Sequence, residues 1–132
     1  MPDAARRFAR RVFTGAAIYG LLALLPQYFL EDRLGRDFPP AITHPEHFYG
    51  FVGLALAWQF AFLVIARDPV RYRALMPVAA LEKLAFGGAA VVLFALQRTP
   101  WPVLAAGSVD LALAVLFLAA YRVTPRAGGQ LP

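Results

Sequence analysis

The chain has 132 residues, of which 60% are hydrophobic and 16% charged, with a net charge of +5 and a mean hydropathy of +0.57. A soluble domain is usually about 45–50% apolar, so these values exclude an ordinary water-soluble fold, and the length allows one domain. Cysteine is absent, which excludes disulfides, thiol catalysis and thiolate metal sites. The basic residues sit beside apolar runs. That is the pattern of membrane topology rather than of nucleic-acid binding, and no nucleic-acid partner is expected.

Four apolar runs, 12–30, 48–66, 74–96 and 101–121, have 19 to 23 residues each. A helix needs roughly 20 residues to cross the hydrocarbon core. The expected fold is therefore all-α, a single integral membrane domain built as a four-helix transmembrane bundle. The N-terminal arginines followed by apolar residues 12–25 resemble a signal peptide or twin-arginine leader. No small-residue cleavage site follows, since Pro26-Gln27-Tyr28-Phe29 comes next. The reading is a retained first helix, kinked or ended by Pro26.

The segment 31–47 is the longest loop and the one with room for a surface feature. His44 and His47 flank Glu46 at its end. They have the i, i+3 spacing of a shared metal site, but Pro45 intervenes and no other strong ligand is placed, so the expectation is interfacial histidines and no metal. Gly50 and Gly53 read as a packing face. In the second loop, Asp68 followed by Pro69 gives an N-cap and an N1 proline, so a new helix is expected to start there. Arg71, Tyr72 and Arg73 are then membrane-interface anchors, and Trp101 and Tyr121 bracket the fourth span in the same role. The tail 125–132 is the candidate for a flexible segment.

Orientation follows from basic residues. Arg6, Arg7, Arg10, Arg11, Arg67, Arg71, Arg73, Arg122 and Arg126 fall on one side, and Arg33, Arg36 and Arg98 on the other. Positive-inside places both termini in the cytoplasm.

The most informative residues are polar ones within the spans. With a rise of ~1.5 Å per residue, Lys83 lies roughly 14 Å from the cytoplasmic end of its span, Glu82 about 12 Å, Asp110 about 16 Å, and Gln59 and Tyr19 about 10 Å each. Four helices thus place polar groups at nearly one level. Lys83, Gly87 and Ala90 form one stripe of the third span, and Ala106, Gly107, Asp110 and Ala114 one stripe of the fourth. Small residues at this spacing let membrane helices approach closely, so a Lys83–Asp110 contact is expected. Glu82 is turned about 100° away, toward another helix, with Gln59 or Tyr19 as candidate partners. Two acids and one base leave a charge of −1 if all are ionised. A protonated acid, a bound cation or a water-filled path would relieve it. Three readings follow: a structural lock of the bundle, a ligand site, or a proton or ion path. No cofactor motif, nucleotide fingerprint, zinc signature or nucleophile elbow is present.

The string Phe48-Tyr49-Gly50-Phe51-Val52-Gly53-Leu54, with Asp68-Pro69-Val70-Arg71-Tyr72-Arg73, Leu81-Glu82-Lys83 and Asp110-Leu111 ahead of Leu116-Phe117, resembles small four-helix bacterial integral membrane proteins of the DoxX-like group. The resemblance lies in pattern and layout over most of the chain. It implies a four-helix bundle in the inner membrane, and in parts of that group the proteins associate with membrane redox complexes such as quinone-reducing enzymes. Most members of that group have no assigned activity, so no catalytic residue is carried over. The layout and buried acids also resemble the four-helix sterol-isomerase and receptor architecture, in which intramembrane acids hold a ligand cation or move a proton. Small multidrug transporters carry their signature acid in the first span. The run 12–30 has none, which argues against that family.

The leading expectation is a non-enzymatic accessory or subunit of a larger membrane complex, with membrane lipid and either that complex or a second copy as partners. The alternative is a lipid- or quinone-like ligand-binding protein, or an isomerase using Glu82 or Asp110 as proton carrier. A proton-coupled small transporter is the third.

Overall fold

Proline sets where these helices begin. It lacks the backbone N–H that an interior helical residue donates, so it is tolerated only in the first turn. The computed structural model describes residues 2–128, and in it a proline occupies the first turn of each of three long helices: α3 (Pro45–Arg67), α4 (Met76–Ala95) and α5 (Trp101–Val123). The fold is all-α, 82% helical, with no strand among the described residues. Four helices are long and apolar enough to cross a membrane.

The first of these, α1 (Pro2–Leu24), starts well before the apolar run at Val12. Asp3 lies in its first turn, where a carboxylate complements the helix dipole, and Ala4, Ala5, Arg6 and Arg7 are good helix formers. Pro26 ends it. An α-helical residue 26 would donate to the carbonyl of Leu22, and proline cannot, so the chain continues from Leu25 to Phe29 as a 3₁₀ turn.

The loop 31–47 is not wholly irregular. It holds a short helix, α2 (Glu31–Asp37), with Glu31 and Asp32 in its first turn and Arg36 in its last, the charge order the dipole favours. Tyr49 of α3 donates to the Glu31 carboxylate at 2.8 Å and ties α2 down.

The start of α4 also differs from expectation. Asp68 accepts from the Arg71 backbone N–H at 3.1 Å, so a turn does begin there. It passes through a 3₁₀ turn at Arg73–Leu75 before α4 starts at Met76. Pro77 is the reason: with no N–H to give, it must sit in the first α-helical turn. Arg73, expected as an interface anchor, also makes contacts within the bundle. It donates to the Thr124 carbonyl at 2.8 Å, and its guanidinium lies 3.9 Å from the centroid of the Tyr121 ring. These contacts clamp the α3–α4 loop onto the end of α5. We expect Arg73→Ala to cost about 1–2 kcal/mol and to raise hydrogen-exchange rates at the Thr124 amide and the last turn of α5. Unchanged exchange there would show that the clamp carries no stability.

Between α4 and α5, Gln97 takes a left-handed φ of 58°, and the Arg98 N–H bonds back to the Leu93 carbonyl at 2.8 Å. This helix-ending loop turns the chain sharply. It sets α4 and α5 side by side and antiparallel. Of the tail, residues 129–132 lie outside the described residues, and Ala127 and Gly128 form a turn.

Helix neighbours follow from side-chain size. In lipid there is no hydrophobic drive between helices, so close packing decides. The inner face of α4 carries Ala79, Ala80, Gly87 and Ala90, and that of α5 carries Gly107, Ala114 and Ala120. These two helices form the tightest pair, and α1 packs against both α3 and α5. The spatial order is α3–α1–α5–α4; the α3 and α4 backbones come close at few points although the helices are consecutive in the chain, and they meet through side chains, Phe62 against Lys83 and Phe51 against Phe86. Gly50, expected on a packing face, has open space around it, while Gly53 lies under the Tyr28 hydroxyl. The end carrying the N-terminal arginines is closed by a core in which Phe13 and Phe117 stack with centroids 4.2 Å apart and Phe62 meets Phe117 edge-on at 5.0 Å.

Candidate functional site

The polar layer rests directly on this phenylalanine core. Lys83 stands on the buried face of α4, and its Nζ lies 5.3 Å from the centroid of the Phe62 ring. The same Nζ donates to Asp110 Oδ1 of α5 at 3.3 Å. Gly87 and Gly107 allow this approach. A Cβ on Gly87 would come within 2.9 Å of the Gly107 carbonyl, and one on Gly107 would strike Ala90. The two helices therefore meet backbone to backbone, one turn beyond the ion pair. Lys83 and Asp110 are both buried.

Glu82 faces the gap toward α3, as its helical angle predicts, and lines one cavity with Gln59 and Tyr19. Its Oε2 lies 3.8 Å from Lys83 Nζ, an ionic contact longer than a hydrogen bond. Lys83 thus serves two carboxylates, one directly and one at longer range. No hydrogen bond links Glu82 to Gln59 or Tyr19 among the described residues, and Glu82 Oε2 has no hydrogen-bond partner.

Gln59 of α3 is 1% exposed. Its Nε2 donates to the Ala55 carbonyl, one turn back, at 2.8 Å, which fixes which end of the amide carries the oxygen. The Oε1 is left without a partner. Gly20 of α1 makes room for this side chain, because a Cβ there would collide with the Gln59 amide. Sequence reasoning had no signal for Gly20. A glycine's neighbour across a helix pair is not written in its own segment.

All five polar-layer residues, Tyr19, Gln59, Glu82, Lys83 and Asp110, line one cavity of about 100 Å³, room for a few waters or a small head group. Tyr19 is the least enclosed of them, at 38% exposure. Beside this cavity runs a second, apolar groove of about 520 Å³ in the gap between α3 and α4. Its walls include Leu54 and Trp58 from α3 and Val78, Leu81 and Ala85 from α4. Phe51, Ala55, Glu82 and Phe86 line both spaces. The Phe51 and Phe86 rings face each other across the gap at 5.7 Å. Glu82 thus stands at the junction of a polar chamber and an apolar, outward-facing channel. This groove was not legible in the sequence.

Chemically, the layer offers one buried ammonium already engaged, two carboxylates, and two acceptor oxygens without donors. An unpaired buried acceptor costs about 1–3 kcal/mol, so two in one place mark a site where donors belong.

The remaining expected residues lie apart from it. His44, Glu46 and His47 cluster at the start of α3 with ligand atoms within 4.8 Å of one another, and all three are exposed. Pro45 does not separate the histidines but starts the helix that brings them together, and their rings stack at 5.3 Å. Arg71 lies over the Tyr72 ring at 5.5 Å and is exposed, as is Trp101 at the start of α5, while Tyr72 is half-buried and packs against the core. No protein-family model, curated protein or solved structure matches this chain.

Proposed function

We propose that this chain is a multi-pass protein of the bacterial inner membrane, with both termini cytoplasmic, that holds a small amphipathic ligand at its polar layer. The single observation that carries the reading is the pair of acceptors without a hydrogen bond, Gln59 Oε1 and Glu82 Oε2, in a chamber whose wall is shared with a groove opening between α3 and α4. A purely structural lock has no need of orphan acceptors or of a gap beside them. The bias of arginine toward the ends carrying Arg10, Arg67 and Arg73 supports the orientation. Arg10 bonds the Arg67 carbonyl at 3.2 Å, so these residues share one end of the bundle.

A second reading is favoured by the groove itself. Leu54 and Leu81 on its walls are 71% and 63% exposed, and a helix of a partner protein would cover them. That is the accessory role implied by the DoxX-like resemblance, in which the chain is a subunit of a larger membrane complex, of redox type, and the polar layer holds the bundle in register.

Native mass spectrometry of protein extracted gently from its own membrane, for wild type and Glu82→Gln, separates the two. The expected result is a small adduct on wild type that is missing from the variant, with helical content unchanged by circular dichroism. Protein subunits that co-purify with both forms, and no adduct on either, would replace the ligand reading by the accessory one.

A further inference from the structure

We propose that the ligand is a single-chain amphipathic amine that enters sideways from the bilayer, its chain in the α3–α4 groove and its ammonium between Glu82 and Gln59. This deepens the ligand reading above and rests on it.

Charge and hydrogen bonding converge on this chemistry from separate observations. Glu82 and Asp110 share one lysine, so the ionised layer is one cation short. The two atoms of the layer without a hydrogen-bond donor, Gln59 Oε1 and Glu82 Oε2, are both acceptors; Thr99 Oγ1 and Thr124 Oγ1, outside the layer, are also without a partner. An ammonium supplies the missing charge and up to three N–H donors at once. A hydroxyl supplies one donor and no charge. A carboxylate brings a further acceptor and a like charge, which the layer repels. Gln59 is buried and held by its Ala55 bond with Oε1 turned to the Gly20 side of the chamber, so the acceptor is positioned before any ligand arrives. Glu82 borders both spaces, which places the charge at the inner end of the groove.

The shape selects the rest of the molecule. The polar chamber, about 100 Å³, accepts a head group and little else. The groove, about 520 Å³ and lined by apolar side chains apart from Glu82, has room for a chain. Its open side lies between two spans, so the path from lipid needs no passage through headgroups or water. The Phe51–Phe86 pair at 5.7 Å is the narrow point between chain and head.

Trp58 lines the groove and provides the readout. The chain has two tryptophans, so Trp101→Phe leaves Trp58 as the sole fluorophore. The probes are a long-chain primary amine brominated along its chain and the matched brominated alcohol and fatty acid, each titrated at low mole fraction into nanodiscs holding the protein. The expected result is saturable quenching of Trp58 by the amine, with a midpoint about tenfold or more below that of the alcohol, and no saturable quenching by the acid. Glu82→Gln should bring amine and alcohol to the same midpoint. Ala85→Phe, which fills the outer groove without touching the polar layer, should abolish saturable quenching by the amine and the alcohol, and it keeps the test open if Glu82→Gln fails to fold. Equal quenching by amine and alcohol in the wild-type layer, a preference for the acid, or an amine preference that survives both substitutions would overturn the proposal. A native adduct that is not an amine would overturn it too, while leaving the ligand reading standing. Subunits without an adduct would end both.

Discussion

Replacing Lys83 by methionine should destabilise the bundle by about 3–5 kcal/mol, measured by a denaturant or detergent titration in bicelles. The side chain is 4% exposed and holds Asp110 at 3.3 Å and Glu82 at 3.8 Å. At an effective dielectric of about 20, its attraction to Asp110 is roughly 5 kcal/mol, of the same order as the cost of removing the two ions from water. The intact pair is therefore close to break-even. Breaking it is not, because methionine leaves two carboxylates facing each other with no cation between them. Methionine keeps the volume and the contact with Phe62, so the loss reports charge rather than packing. Replacing Asp110 by leucine in the same chain should recover most of the stability, because the second buried carboxylate then leaves with the first partner. A single substitution costing under about 1 kcal/mol would mean that the layer already reaches water through the chamber, and the ion pair would then be a feature of the site and not of the bundle.

The parts of this arrangement that were legible in the sequence share one physical origin. Residue spacing along a helix maps directly onto depth and angle, so the common level of Tyr19, Gln59, Glu82, Lys83 and Asp110, and the facing of the Gly87 and Gly107 stripes, follow from the rise and the period alone. What was not legible depends on which helices meet. In a bilayer the lipid-facing and protein-facing sides of a helix are both apolar, so hydrophobicity carries little facing information. Val78, Leu81, Ala85 and Ala89 of α4 look the same in sequence whether they pack on α3 or border an open groove. Chain order does not settle it either: the loop clamped by Arg73 joins α3 to α4 without bringing their backbones close, and α1 takes the position between α3 and α5. Gly20 is the sharpest case. Its importance lies in the missing Cβ opposite Gln59, a relation between two helices that no reading of α1 alone contains. The delayed start of α4 was readable from Pro77, but the more familiar Asp68-Pro69 signal lies eight residues earlier and points to a turn rather than to the helix.

Gly107→Leu should separate α4 from α5, with loss of the monodisperse folded protein on size exclusion and of the Lys83–Asp110 contact together. The substitution is severe because the obstacle is fixed. A Cβ at Gly107 already meets Ala90 and lies 3.5 Å from the Gly87 backbone, and neither atom belongs to a flexible side chain that can swing away. A leucine must push the helices apart by roughly the width of a side chain, and overpacking of this kind costs about 1–3 kcal/mol before the ion pair is counted. The pair adds to it, since a separation of a few ångströms at Gly107 is felt one turn away at Asp110, where 3.3 Å becomes too long for a hydrogen bond. Gly88→Leu supplies the control on the neighbouring residue of α4. A Cβ there meets nothing within 4 Å, so the variant should fold as wild type, and its added side chain is accommodated by lipid. Equal damage from both substitutions would place the fault in helix formation itself. Damage from Gly107→Leu alone would locate the stability of the polar layer in the backbone contact that brings α4 and α5 within reach of one another.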